Sequence, residues 1–548
     1  MLTSEVNYND VWAVTGIPVS TFAQHDRDWH VTGSGGLALV VEVGAGLEEQ
    51  GRIGVGDMVS VYAGQFDALS PKAGRDPLFA DFTIQGYQTP DGSHQQFMVA
   101  QGTQLYDPPS NLDLATAGSY ILTMGTTYRA LFNTLDVDPG DRLFVEGAST
   151  GTGRDAVRMA DSRNLEITGL VSSAERAERA TQNGADAAID RTQDALTGAM
   201  RMVPNDPDEW DAWEAAGEPL LEEFREKNDG ELADHVVSHA GAEAFSRSYQ
   251  LLGEGGQLTF YGASTGYEMA FVGKGGESNP GAVYDRTGLG AVDGLLVWYG
   301  TPDHVEGVAD EVGAEAIEAG LRRNARVAVL TETAAQADHV ESTYDVAGAV
   351  SVESIRAESD GFEFLRTMPE LPLPSEPDAL ASTVGEYMGK MFKPLGMAIG
   401  ELLATPNNPR GNPEVIFERA GQNTLSVSTM LCAPFEGSVV FSEAMAGDRY
   451  SFYAPQVWMR QRRIFMPTTS ILGTHMKDTY EVWKMNEELE LGSFEVPRTH
   501  VTPWDETPTA HQDMWENNHA EGSYVIDHAL PSADIESEAE LFEAWGQE

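Results

Sequence analysis

The chain has 548 residues, enough for large buried cores and two or three domains. Its 86 acidic against 34 basic residues leave a net charge of −52, which argues against nucleic acid and anionic membranes as partners. The single cysteine, Cys432, excludes an intrachain disulfide and a thiolate zinc cluster.

None of the twelve histidines stands in a ligand pair of the His-Glu-x-x-His type, so no metal is expected. No apolar run reaches the roughly eighteen residues of a membrane span, and no signal peptide opens the chain; a cytoplasmic protein is expected. Acidic side chains spread along the whole sequence keep a surface hydrated and suit a saline environment. They also repel a phosphorylated cofactor, so cationic groups must offset that field at the site.

To about residue 118, short alternating runs such as 58–62 and 97–100, separated by turns such as Pro90-Asp-Gly92, predict a mostly β domain. From 119 the pattern alternates: a helix near 119–134, a strand at 143–147, a helix at 153–162 and a strand at 166–171. That alternation predicts a parallel sheet wrapped by helices. Between the first strand and its helix lies Gly147-Ala-Ser-Thr-Gly-Thr-Gly153. Gly147, Gly151 and Gly153 allow a tight turn and close approach to a pyrophosphate, whose charge meets the free N–H groups of a helix starting near Arg154. Ser149, Thr150 and Thr152 complete the loop, with Thr150 where many such loops carry another glycine.

The end of the second strand selects the cofactor. An acidic residue there would bind the ribose 2′-hydroxyl of NAD, whereas Ser172, Ser173 and Arg176 suit a 2′-phosphate, which predicts NADPH. An acidic insert from 205 to 231 carries Trp210 and Trp213 and is expected to form a helical flap whose tryptophans pack locally.

A weak internal repeat follows. The layout of 234–241 with 253–260, strand, helix and glycine turn into strand, recurs at 414–421 with 435–441. Between them, 294–298 and 325–330 read as two further parallel strands joined by an alanine-rich helix, implying a second, degenerate α/β unit. Only Tyr299-Gly-Thr-Pro302 follows its first strand, so a structural or assembly role is expected rather than a second cofactor. A proline-rich linker at 371–377 leads into an apolar helix at 378–404.

Several separated motifs stand in a fixed order. They include Val6-Asn-Tyr-Asn-Asp-Val-Trp12, Gly86-Tyr-Gln-Thr-Pro-Asp-Gly-Ser93, the glycine loop, Gly184-Ala-Asp-Ala-Ala-Ile-Asp190 and Asp208-Glu-Trp210. They continue with Gly262-Ala-Ser-Thr-Gly-Tyr267, Val457-Trp-Met-Arg-Gln-Arg-Arg-Ile464, Gly473-Thr-His475 and Met514-Trp-Glu-Asn-Asn-His519. With these the chain resembles the crotonyl-CoA carboxylase/reductase branch of the medium-chain dehydrogenase/reductase superfamily. The resemblance implies an α/β protein with a GroES-like β domain and a Rossmann-type doubly wound sheet; this chain departs from ordinary members in an N-terminally truncated β domain and in the inserted second, degenerate Rossmann-like unit. The expected division is 1–118 for the β domain, completed by about 490–548, 119–271 for the NADPH domain, 272–411 for the insert and 412–489 for the second half of the Rossmann-like core.

The activity implied is NADPH-dependent reduction of a short 2-enoyl-CoA, acrylyl-CoA or crotonyl-CoA. Hydride adds to the β-carbon, and the resulting enolate is quenched by a proton or, in carboxylating members, by CO2. The CO2 pocket of those members has an asparagine, a phenylalanine-glutamate pair and a histidine; here the matching positions hold Asn9, Tyr87 with Gln88, and His519. Gln88 lacks an anionic acceptor and Tyr87 adds a hydroxyl to an apolar wall, so protonation is expected over CO2 capture, with Tyr87 and His519 helping to place the proton. Ser264 and Thr265 of the later glycine motif join the cofactor set.

The start close to Asn9 and the inserted unit make the chain similar to the acrylyl-CoA reductase portion of propionyl-CoA synthase. A homo-oligomer, or a part of a multidomain acyl-CoA synthase, is therefore expected. Arg460, Arg462 and Arg463 are the densest basic cluster, able to meet coenzyme A phosphates or to pair with acidic neighbours. Reductive carboxylation, a zinc-free quinone or 2-alkenal reductase, and a non-catalytic assembly subunit are the alternatives.

Overall fold

The computed structural model describes the chain except for residues 18–19, 75–77, 79, 150, 275–291, 301–309, 360–367, 374–375, 420–423, 436, 442–448, 476–478, 517, 519–521 and 529–548. Thr150 and His519 therefore lie outside the described residues. Among the described residues no helix is long and apolar enough to cross a membrane.

The β domain is a six-stranded sheet drawn from both ends of the chain. Thr3–Val6 pairs antiparallel with Gly35–Leu39 on one side and with Ser523–Asp527 on the other. Met58–Tyr62 and Leu105–Tyr106 continue the first flank, and Thr499–Pro503 closes the second. Helices Tyr8–Thr15 and Thr507–Trp515 pack on this sheet through Val6, Val11, Ala510, Met514 and Ile526.

The alternating segment folds into a parallel sheet, as its pattern predicts. Its strands, Arg142–Glu146, Glu166–Val171, Ala187–Asp190, Ala233–Ser238, Leu252–Phe260 and Ser470–Gly473, lie in the order third, second, first, fourth, fifth, sixth. Leu143, Phe144 and Val145 are fully buried because helices cover both faces of a parallel sheet. The helix predicted near 119–134 runs from Thr123 to Arg129 and continues through a wider turn, Ala130–Leu135.

Between the fifth and sixth strands a second unit of the same topology is inserted. Gly294–Tyr299, Arg326–Thr331, Gly348–Ser351, Val415–Glu418, Ser438–Phe441 and Arg463–Phe465 are all parallel and repeat the order third, second, first, fourth, fifth, sixth. The two halves of the sequence repeat thus occupy equivalent places, the fourth and fifth strands of each unit. Strands 415–418 and 438–441, expected from sequence in the second half of the Rossmann-like core at 412–489, belong with 294–351, so this unit extends to Phe465.

The sixth strands of the two units pair antiparallel, Ile464 opposite Ile471, and fuse them into one twelve-stranded sheet. A second antiparallel pair, Glu268–Val272 with Arg449–Tyr453, ties the segments that follow each fifth strand. The chain therefore carries an internal pseudo-twofold axis between its two units. The apolar segment predicted at 378–404 is two helices, Pro377–Tyr387 and Lys393–Leu403, joined by a wide turn.

The acidic insert forms helix Trp210–Lys227, and Trp213 is buried against the Arg247 guanidinium, 3.7 Å from its ring. Arg462 corrects the reading of the arginine cluster as a site for coenzyme A phosphates. It is buried and donates to the Met430 carbonyl on helix Leu425–Leu431 and to the carbonyl and side chain of Gln456 on helix Ala454–Trp458, so it braces two helices.

Candidate functional site

The glycine turn follows the first strand of the first unit directly, and the helix begins at Gly151, earlier than the Arg154 start expected from sequence. The earlier start places the loop's last glycines inside the first helical turn, where N–H groups are unpaired by the helix. Gly153 is required sterically: a Cβ there would stand 2.4 Å from the Gly147 carbonyl oxygen and 2.6 Å from that of Glu146. The next parallel strand ends at Val171, and Ser173 caps the following helix by accepting from the Arg176 amide at 3.2 Å. Arg176 donates to Ser172 at 3.0 Å, so hydroxyls and a guanidinium are held together at the strand end. Ser264 and Thr265 both donate to the Ala240 carbonyl, at 3.1 and 3.0 Å, and tie the loop after the fifth strand to the loop after the fourth.

Glu146, His239 and Tyr261 escaped the sequence reading. The buried Glu146 carboxylate accepts from the amides of His239 and Ala240 at 3.1 and 2.9 Å and from the Ser248 hydroxyl. The His239 ring bonds the Glu146 carbonyl at 2.8 Å and stacks on Tyr261 at 6.1 Å. An acid ending an apolar strand just before a glycine turn was the available signal, since a buried carboxylate needs several donors. The glycine cradle, the helix N–H groups and the Ser172–Arg176 pair fit a phosphorylated dinucleotide.

Asn9 is linked to Tyr87 and Gln88 through the segment Gly33-Ser34 of the β domain. Helix Tyr8–Thr15 is opened by Asn7, whose side chain accepts from the Asn9 amide at 2.8 Å while Asp10 reaches back to the Asn7 amide. Asn9, half-buried on that helix, donates to Ser34 at 2.5 Å. The adjoining Gly33 lies against Gly86, where a Cβ would come within 2.2 Å of the Gly33 carbonyl oxygen, and this contact carries the turn that holds Tyr87 and Gln88.

The Tyr87 hydroxyl donates to the Ile17 carbonyl just past the helix, and burial raises its pKa far above the ordinary tyrosine range. The hydroxyl that Tyr87 was expected to add to an apolar wall thus has its proton committed to backbone. The Gln88 side-chain oxygen accepts from the Ile84 amide at 2.8 Å and closes its own turn. One buried core contains Tyr87 and Ile84 of the β domain together with Val145, Ala148 and Tyr261 around the glycine turn, so the two groups of residues share a single apolar framework.

Residues 151–274 match the family model described as zinc-binding dehydrogenase. Among the described residues no group of three or more His, Cys, Asp or Glu is placed to hold a metal ion. The chain is 32% identical over 283 residues to a crotonyl-CoA carboxylase/reductase of Cereibacter sphaeroides, covering 50% of this chain and 63% of that protein. It is 29% identical over 283 residues to a crotonyl-CoA reductase of Streptomyces collinus, covering 49% and 61%.

The match thus spans less than two thirds of the length of these relatives. Among solved structures, a crotonyl-CoA carboxylase/reductase gives a TM-score of 0.55 at 20% identity, covering 99% of this chain and 83% of that one. A 2-octenoyl-CoA carboxylase reductase in complex with NADP and 2-octenoyl-CoA gives 0.54 at 17% identity, covering 100% and 82%. These likenesses show a shared fold.

Proposed function

We propose that this distant relative of the crotonyl-CoA carboxylase/reductases is an NADPH-dependent reductase of a short-chain 2-enoyl-CoA. The observation that carries the reading is the glycine turn at a helix N-terminus with Ser172 and Arg176 held together at the end of the neighbouring strand. That donor set recognises a 2′-phosphate and offers no carboxylate to a ribose hydroxyl. NADPH, when bound, supplies the hydride that reaches the β-carbon of the enoyl thioester. The chain's own residues orient the two reactants and deliver the proton that completes the saturated acyl-CoA.

Asn9, Tyr87, Gln88 and His519 are the residues assigned to the proton end of the reaction. Tyr87 keeps only its oxygen lone pairs for a ligand, because its proton is donated to Ile17. Gln88 carries no charge, so the position that is glutamate in the carboxylating enzymes presents an amide here. Protonation of the enolate at the α-carbon follows as the outcome in place of CO2 addition.

The decisive measurement is NADPH oxidation with acrylyl-CoA and crotonyl-CoA, with and without bicarbonate, followed by mass analysis of the acyl products. Propionyl- and butyryl-CoA alone are the expected products. Methylmalonyl- or ethylmalonyl-CoA would overturn the assignment of Tyr87 and Gln88. Turnover of a free enone but of neither thioester would move the chain to the quinone or 2-alkenal reductases.

A further inference from the structure

We propose that Asp10 and Ser34 decide which end of the Asn9 amide faces the site, through a buried hydrogen-bond chain whose polarity reverses when Asp10 takes up a proton. The proposal deepens the enoyl-CoA reductase reading and rests on it, because it requires Asn9 to meet the reacting groups. Asp10 and Ser34 are positioning residues in this scheme, acting only through Asn9.

The chain is short and fully specified. Ser34 donates to Asp10 Oδ1 at 2.7 Å, and Asn9 Nδ2 donates to Ser34 Oγ at 2.5 Å. Asp10 Oδ2 accepts from the Asn7 amide at 2.8 Å, the bond that closes the helix cap. Asp10 and Ser34 are completely buried, so water does not interrupt the sequence of bonds.

An ionised carboxylate can only accept, and a serine hydroxyl has one proton to give. With Asp10 ionised, Ser34 must spend that proton on Asp10 and can only accept from Asn9. Asn9 then turns its NH2 to Ser34 and its carbonyl oxygen away from it. A proton on Asp10 Oδ1 reverses each step: Asp10 donates to Ser34, Ser34 donates to the Asn9 carbonyl, and the amide turns over to present its NH2. A carbonyl end holds a proton-donating water beside an enolate, whereas an NH2 end holds an oxyanion. The ionised state therefore serves enolate protonation.

The surroundings place this reversal in an accessible range. Burial pushes the Asp10 carboxyl up to about 6, against the lowering influence of His511 and the bonds from Ser34, Asn7 and Gly33. His511, on helix Thr507–Trp515, has its ring 5.2 Å from that of His94 and tilted against it, and burial lowers both, His94 to about 4. His94 bonds Thr32 and the Glu5 carbonyl, and His528 behind it, bonded to Ser4 at 2.7 Å, is held at about 3. These histidines and Asp10 face one another from the two helices, the loop at 94 and the end of the last strand, with the partly buried Met1 ammonium acting on His528.

The test is the pH dependence of kcat and KM for crotonyl-CoA reduction from about pH 5 to about pH 8 in the unaltered chain, Asp10→Asn and Ser34→Ala. The unaltered chain is expected to lose about tenfold in kcat as pH falls through about 6, with little change in KM. Asp10→Asn keeps the acceptor for the Asn7 amide but gives Ser34 a permanent donor, so it should hold the low rate at every pH. Ser34→Ala should show no inflection. His511→Gln should keep the inflection and move it upward, because the nearby positive charge is gone.

A pH profile in Asp10→Asn or Ser34→Ala like that of the unaltered chain, with melting temperatures preserved, overturns the proposal and leaves the enoyl-CoA reductase reading standing. Should Asp10→Asn fail to fold, the Ser34→Ala profile decides. No reduction of any enoyl-CoA by the unaltered chain overturns the functional reading and the relay together.

Discussion

On the proposed reading, cofactor choice turns on Arg176, whose guanidinium is held beside Ser172 at the end of the second strand. Arg176→Ala should weaken NADPH binding about tenfold and leave NADH nearly unaffected, a split that fluorescence titration with both nucleotides reads directly. Gly153→Ala should abolish binding of either, because its Cβ would collide with two backbone carbonyls that cannot move aside. Circular dichroism of that variant should still report a folded chain. The buried histidines make a prediction of their own. His94 and His528 have folded-state pKa values of about 4 and about 3, below the ordinary histidine value, so the unfolded chain takes up protons first as pH falls. Their contribution to stability is present above about pH 6.5 and is lost progressively as pH falls toward about 4. Replacing His528 by Gln should lower the pH of acid unfolding.

At the scale of elements, the loop after the fourth strand is held by the strand before the glycine turn. Glu146 collects the amides of His239 and Ala240, and Ser264 and Thr265 fix the next loop to the same segment. Glu146→Ala leaves those donors unpaired in a buried place and should cost about 3 kcal/mol, measured by urea unfolding, with weaker dinucleotide binding following from the loosened loops. Sequence made the strand–turn–helix legible because glycine and apolar residues report backbone needs locally. It did not expose the Glu146 brace, since the bonds run to residues about ninety positions away. The same reason hid the role of Arg462, which was visible as a charge but not as a donor to the carbonyls of two helices.

At the scale of the molecule, the second unit copies the topology of the first but places a carboxylate before the helix that follows its first strand. Asp310, at the N-cap of helix Glu311–Arg322, accepts from the amides of Gly300 and Gly313 and pairs with Arg419. A carboxylate thus takes one N–H of the helix terminus and one at the strand end, groups of the kind a pyrophosphate would use. Calorimetric titration should find one dinucleotide per chain. The net charge of −52 gives a second expectation: self-repulsion weakens as salt screens it, so the melting temperature should rise from dilute buffer to about 1 M salt.

Sequence by itself determined the alternation of strands and helices, the glycine turn before its helix and the repeat at 234–260 and 414–441, because periodicity and turn chemistry are local properties of the chain. It also brought Asn9, Tyr87 and Gln88 forward, though only through resemblance. Tertiary structure decided what those residues do with their hydrogen bonds: Tyr87 gives its proton to Ile17, Gln88 closes its own turn, and Asn9 is aligned by Ser34 and Asp10. It alone fused two six-stranded units through the Ile464–Ile471 pairing. Hydrogen-bond direction and strand partnership depend on which distant segments meet, and that information appears only once the chain has folded.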